Sequence, residues 1–245
     1  MKRFVRTVLG VLLCGGLLAG CGTSLEGEDS VVYVEQKGAV YSLDVEALDQ
    51  DYYDETELET YVRDAVEQYT SENGSGSVKL NGLTVENGIA KLNMKYKTTQ
   101  DYTDFNGIEL YQGNIVEAIA AGYVFEGEFA KVEEGKVVGS ASKQEIYAQD
   151  DLKTVIIRAN TDVKVDGQIC YVSCENVKLM GTDSVSIREG YYLDNGSTEA
   201  VANMASGDEA VGTELSENTA DDEVAETVEE DGSFETDVYT FIVYK

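Results

Sequence analysis

Histidine, tryptophan and proline are absent from the 245 residues. Without histidine there is no Ser-His-Asp or Cys-His machinery, no histidine-bearing metal site and no ordinary charge switch near neutral pH. Without tryptophan the chain lacks the best stacking platform for sugars or cations. Without proline, no slow cis-proline step is imposed on folding. Bases are scarce, with 18 Lys+Arg against 47 Asp+Glu. Taken as a whole, such a surface repels phosphate backbones and anionic head groups, which excludes nucleic acid as a partner. It attracts Ca²⁺ or basic partners, and it keeps an exported protein soluble.

What is present begins with the first residues. Lys2, Arg3 and Arg6 form a positive opening, Val8 to Leu18 is an uncharged apolar run, and Leu18-Ala19-Gly20 leads to Cys21. A positive start, a short apolar core and small residues mark an export signal. The run is shorter than the roughly 20 residues that span a bilayer. A cysteine directly after Leu-Ala-Gly resembles the lipobox of bacterial lipoproteins. That likeness implies cleavage after Gly20, a diacylglycerol on Cys21 and anchoring at the outer face of the cell membrane. Two acyl chains hold a protein stably where one holds it marginally. Gly22 to Ser30 are mostly small, polar or acidic, so residues 21–30 read as a flexible tether. The signal takes three bases and no acid, so 15 bases face 47 acids in the rest, a net charge of −32.

Four cysteines occur. Cys14 leaves with the signal and Cys21 carries the anchor, so Cys170 and Cys174 remain. Both lie in a strand-like stretch, where four residues span about 13 Å. A disulfide needs Cα atoms within about 7 Å, so free thiols are expected. Two thiols without histidine are too few ligands for zinc.

Hydrophobic patterning predicts an α+β fold of antiparallel hairpins and a few short helices. Val31–Glu35 and Ala39–Val45 flank Gln36-Lys37-Gly38, with Tyr41, Leu43 and Val45 alternating with polar neighbours. Asp54, three residues before Glu57, caps a helix whose stripe is Leu58, Tyr61, Val62, Ala65, Val66 and Tyr69. Asn87-Gly88 joins strands 78–85 and 89–97. Ala90, Leu92, Met94 and Tyr96 should face inward there. Lys91, Asn93, Lys95 and Lys97 should face out and, with Lys79, make the only basic stripe of the chain. That stripe reads as lysines beside carboxylates or guarding a sheet edge, or else as a contact for an anionic partner. A short helix is expected at 101–107, and a second from an Asn114 cap to Ala121. A hairpin is expected from 123–132 with 136–138, a helical turn at 142–149, and strands at 154–159, 168–173, 177–180, 191–193 and 238–244.

Residues 195–235 are rich in Glu, Asp, Ser, Thr, Ala and Gly, and no base occurs between Arg188 and Lys245. Such a composition buries too little surface to order itself, so this is read as a disordered acidic insertion within a single domain, 31–245.

Motifs for chemistry are missing. There is no dinucleotide-binding glycine pattern, no phosphate loop, no nucleophile elbow and no calcium loop. Asp49, Asp51, Asp54 and Glu55 are the nearest approach to a metal site. Their oxygens could bind Ca²⁺ weakly in a curled loop, though such a cluster is more often solvated. Paired carboxylates could hydrolyse glycans, but with 47 acids some pair always lies at a suitable distance. The sixteen tyrosines could form a sugar platform, but most fall at inward positions, where the ring packs and the hydroxyl sits at the rim.

Four stretches carry a family likeness: Asp51-Tyr52-Tyr53-Asp54-Glu55 with Glu57-Leu58; Tyr102 with Phe105-Asn106-Gly107; Tyr171-Val172-Ser173; and Phe241-Ile242-Val243-Tyr244-Lys245. On these and the lipobox the chain resembles uncharacterised surface lipoproteins of Gram-positive anaerobes. The resemblance implies location and fold and carries over no functional residue. No catalytic, cofactor-binding or metal residue is expected. The expected role is non-enzymatic binding of a protein or glycan partner at the cell surface, with a carboxylate-dependent hydrolase of envelope glycans as the alternative.

Overall fold

The computed structural model describes residues 24–48, 54–196 and 238–245. The opening hairpin forms as expected, from β1 (Val31–Val34) and β2 (Val40–Ala47). Helix α1 (Glu55–Asn73) starts where Asp54 Oδ1 accepts from the Glu57 N–H at 3.0 Å. Strands β3 (Val78–Glu86) and β4 (Ile89–Tyr96) follow. Between them, Asn87 and Gly88 both take positive φ, 54° and 76°, the left-handed pair that a tight hairpin turn requires. Helix α2 (Thr99–Asn106) ends at a left-handed Gly107. Then come β5 (Leu110–Asn114) and α3 (Ile115–Ala120). Asn114 and Glu117 close a reciprocal capping box on α3. The middle of the chain forms β6 (Phe129–Glu133), β7 (Lys136–Ala141), α4 (Lys143–Tyr147), β8 (Lys153–Ile157), β9 (Asp162–Val165), β10 (Ile169–Ser173) and β11 (Glu175–Leu179). It ends with β12 (Ser184–Tyr192), and the chain closes on β13 (Thr240–Tyr244).

Two sheets pack face to face in one α+β domain. The first runs β11-β12-β9-β1-β2-β4-β3 and the second β5-β8-β13-β10-β6-β7. All pairs are antiparallel except β1 with β9. The main core lies between the sheets. Val34, Val40, Met94, Tyr96, Val163 and Val185 come from the first, and Val155, Ile157, Val172, Ile242 and Tyr244 from the second. A second core lies on the outer face of the second sheet, where Phe129, Ile156, Tyr171, Phe241 and Val243 meet Ile115, Ala118, Phe125 and Ile146. Helix α2 closes the gap at one edge, with Tyr102 buried edge-on to Tyr96 at a centroid distance of 5.0 Å. At the other edge the chain crosses from β10 to β11 through Cys174, whose N–H donates to the Glu128 carbonyl at 2.9 Å.

Several expectations are corrected. Part of the tether 21–30 is bound to the domain. The Leu25 N–H donates to Asn93 Oδ1 at 2.9 Å, Lys91 Nζ to the Gly27 carbonyl at 2.7 Å, and a Cβ on Gly27 would sit 3.5 Å from Leu43 Cδ2. This cover helps to bury Leu43 on the outer face, where Tyr41 is buried beside Tyr33 and Lys95. The inward set of β2 is the other parity, with Val40, Ser42 and Asp44 opposite Tyr96, Met94 and Leu92. Tyr61 is 74% exposed and leaves the core stripe of α1, where Val62 alone is fully buried. Strands β5 and β9 had no expected counterpart, β12 extends well before 191–193, and β6 starts at Phe129 instead of Tyr123. The acidic stretch 195–235 lies outside the described residues except for Asn195 and Gly196. Its expected status as an insertion follows from β13, which sits inside the second sheet between β8 and β10.

Candidate functional site

Cys21, Asp49 and Asp51 lie outside the described residues. Asp54 is engaged as the cap of α1, and Glu55 is an exposed first-turn residue. Among the described residues no group of three or more acids or cysteines is placed to hold a metal ion. Cys170 and Cys174 are free thiols, as the strand geometry predicts. Burial pushes the Cys174 thiol up to about 12, and the nearby Glu128 carboxylate adds to the shift. It therefore stays protonated and inert at neutral pH.

The basic stripe faces outward as expected, on strands at one end of the first sheet. Lys79 stands opposite Lys95, and the Lys95 ammonium lies 5.0 Å from the centre of the Tyr41 ring. β3 is the edge strand and β4 is internal, so edge protection applies to Lys79 alone.

A feature the sequence reading missed lies at the open end of the sandwich. Asp44, Glu46, Ala47 and Leu48 from β2 and its end meet Ala90 and Leu92 of β4, Leu83 of β3 and Leu58 of α1 around a cavity of about 300 Å³. Alternation puts Asp44 and Glu46 on one face of β2, opposite Leu92 and Ala90. The Asp44 carboxylate accepts from Ser42 Oγ at 2.8 Å. Burial raises its pKa from 3.8 to about 6, the serine bond opposes the shift, and Glu46 adds to it. Burial also raises Glu46. A carboxylate poorly compensated in an apolar recess is matched by a ligand that brings a hydrogen-bond donor or a positive charge. The signal for it was the register of β2 against β4, which places Asp44 on the inward parity with Val40; composition could not single out one acid among 47.

Among the described residues the tyrosines do not form an open platform. Tyr123 and Tyr239 donate to the two oxygens of Glu109 at 3.0 and 2.6 Å, and Tyr111 packs on Tyr123 with centroids 4.9 Å apart. Tyr69 donates to Asp101, Tyr171 to Glu145 and Tyr192 to Glu128. In a chain short of bases, tyrosine hydroxyls satisfy the partly buried carboxylates, and these rings are thereby tied into the fold.

Compared with known proteins, the chain matches no protein-family model, no curated protein and no solved structure.

Proposed function

We propose that this is a lipid-anchored protein of the outer face of the cell membrane that binds, without turning over, a small ligand in the Asp44 cavity. The ligand class is a mostly apolar body with a protonated amine or another strong hydrogen-bond donor. The cavity carries this reading. Its volume of about 300 Å³ is at the lower end of small-molecule sites, and such sites combine apolar walls with one or two placed polar groups. Leu58, Leu83 and Leu92 supply the walls and Asp44 the polar group. The anchor rests on Leu18-Ala19-Gly20-Cys21 and on the lipid arithmetic of two acyl chains. Cells fed labelled palmitate should yield labelled protein, and Cys21→Ala should abolish the label. For the cavity, aliphatic amines should raise the melting temperature of the full mature chain, as any ligand selective for the folded state does. Asp44→Asn should remove that rise, and an equal rise in the variant would overturn the ligand class.

The second reading, a hydrolase of envelope glycans, is favoured by one observation: two carboxylates line the same cavity and the pKa of one is raised to about 6. Their Cα atoms stand about 6.6 Å apart from the rise of a strand, and paired carboxylates are the working parts of glycosidases. The leucine walls weigh against a sugar. Release of reducing ends from cell-wall glycan, lost in both Asp44→Asn and Glu46→Gln, would reverse the order of the two readings.

A further inference from the structure

We propose that the outer face of the first sheet is the surface that this protein lays against anionic lipid head groups of the membrane holding its anchor. The proposal rests on the anchoring reading above and adds an orientation to it.

Two independent features meet on that face. The first is the path of the chain. Leu25 and Gly27 are hydrogen-bonded to Asn93 and Lys91, both outward residues of β4. From Cys21 to Leu25 is four residue steps, which span at most about 14 Å. A lipid on Cys21 therefore keeps this part of the first sheet within about 14 Å of the bilayer surface.

The second is charge. Lys79, Lys91 and Lys95 share the outward parity of β3 and β4, and exposed Lys97, whose N–H donates to the Ser77 carbonyl at 2.8 Å, follows directly on β4. Along the strand Lys95 and Lys97 stand about 6.6 Å apart and Lys91 and Lys95 about 13 Å. None of the four ion pairs among the described residues uses Lys79, Lys91 or Lys97. Two acids further along the same face are matched, Asp183 by Lys164 at 3.3 Å and Asp162 by Arg188 at 3.2 Å. Glu26, Glu28 and Asp29 on the covering segment are exposed and temper the field. Asymmetry, not net charge, sets the orientation. With 47 acids against 18 bases in the whole chain, most of the surface is repelled by an anionic leaflet. The lysine stripe is the part it attracts, over a screening distance of about 8–10 Å. The anchor sits within reach of that stripe, so tether and field favour the same pose.

The test uses the full lipidated protein in vesicles of phosphatidylcholine alone or of phosphatidylcholine with phosphatidylglycerol. Lysines are acylated with a membrane-impermeant reagent and read peptide by peptide by mass spectrometry. Lys79, Lys91, Lys95 and Lys97 should react several-fold more slowly on the anionic vesicles than on the neutral ones, and high salt should restore their rates. Lys143, at the start of α4 against the far side of the second sheet, should react equally on both. Equal rates for the stripe on the two lipids, or protection of Lys143 in its place, would overturn the orientation. The intact mass separates the two failures. A Cys21 without diacylglycerol removes the anchoring reading and this proposal with it, whereas a lipidated protein with an unprotected stripe removes the proposal alone.

Discussion

The two outer faces of the sandwich are built on opposite terms. On the second sheet, Phe129, Ile156, Tyr171, Phe241 and Val243 all point away from the main core, and each is at most 6% exposed. A strand apolar on both sides needs a layer on each. α3, α4 and Phe125 supply that layer, and β13 is buried at all five positions as a result. On the first sheet the outer positions of β4 are Lys91, Asn93 and Lys95, which stay half-buried under no more than the strip of chain bonded to Asn93 and Lys91. The strip of residues near Gly27 lies over Leu43 there. The comparison teaches that a layer forms where side chains demand it: the same kind of antiparallel sheet carries a second core on one side of the molecule and a wet face on the other.

The sharpest way to break the comparison is to remove the side chain that holds the extra layer. Phe125 is fully buried and packs on Phe241 with ring centroids 4.7 Å apart. Phe125→Ala should cost about 3–5 kcal/mol, the usual range for a large buried aromatic, seen as a lower urea midpoint. A loss below about 1 kcal/mol would mean that the second core is not one.

The core side of the first sheet has its own exception in Asp44. Its folded pKa of about 6 lies above its ordinary value of 3.8, so between those values the folded state holds more protons than the unfolded one. Stability from this group is then greatest at or below pH 4, falls as pH rises to about 6, and is level above that. Asp44→Asn should raise stability at pH 7 by on the order of 2 kcal/mol, with the gain vanishing near pH 4. Urea titrations of both proteins across that range check it. A variant no more stable at neutral pH would show that the carboxylate is well solvated after all.

Smaller effects belong to the edge and the wet face. Asp54→Ala removes the cap of α1 and should cost about 1 kcal/mol, read as reduced protection of the first-turn amides in hydrogen exchange. Lys91→Gln should change stability by less than about 0.5 kcal/mol even though it loses the bond to Gly27. A larger loss in a melting experiment would make the lysine stripe part of the fold and not a free surface.

How much of this was legible depended on range. Asp54 with Glu57, and Asn114 with Glu117, are signals closed within a few residues, and α1 and α3 begin on them. Helix α2 ends at Gly107 as expected but starts at Thr99, two residues before the expected start, on a cap from Thr98. Asn87-Gly88 fixed its hairpin for the same reason. Leu110-Tyr111-Gln112-Gly113-Asn114 carries a glycine and two amides, so β5 exists because β8 and α2 hold it, and nothing local announces it. The Asp44 cavity was hidden because it needs a strand parity, a helix and two neighbouring strands at once.

The sequence by itself determined the lopsided charge, the turns and caps, and the antiparallel character of the hairpins, because each rests on residue chemistry or on contacts a few positions apart. Only the tertiary structure decided that β1 pairs in parallel with β9 across more than a hundred residues, that β13 returns to the middle of the second sheet, and that Asp44 faces inward beneath Leu58. Those outcomes depend on which apolar faces bury each other best over the whole chain, and no window of sequence contains that choice.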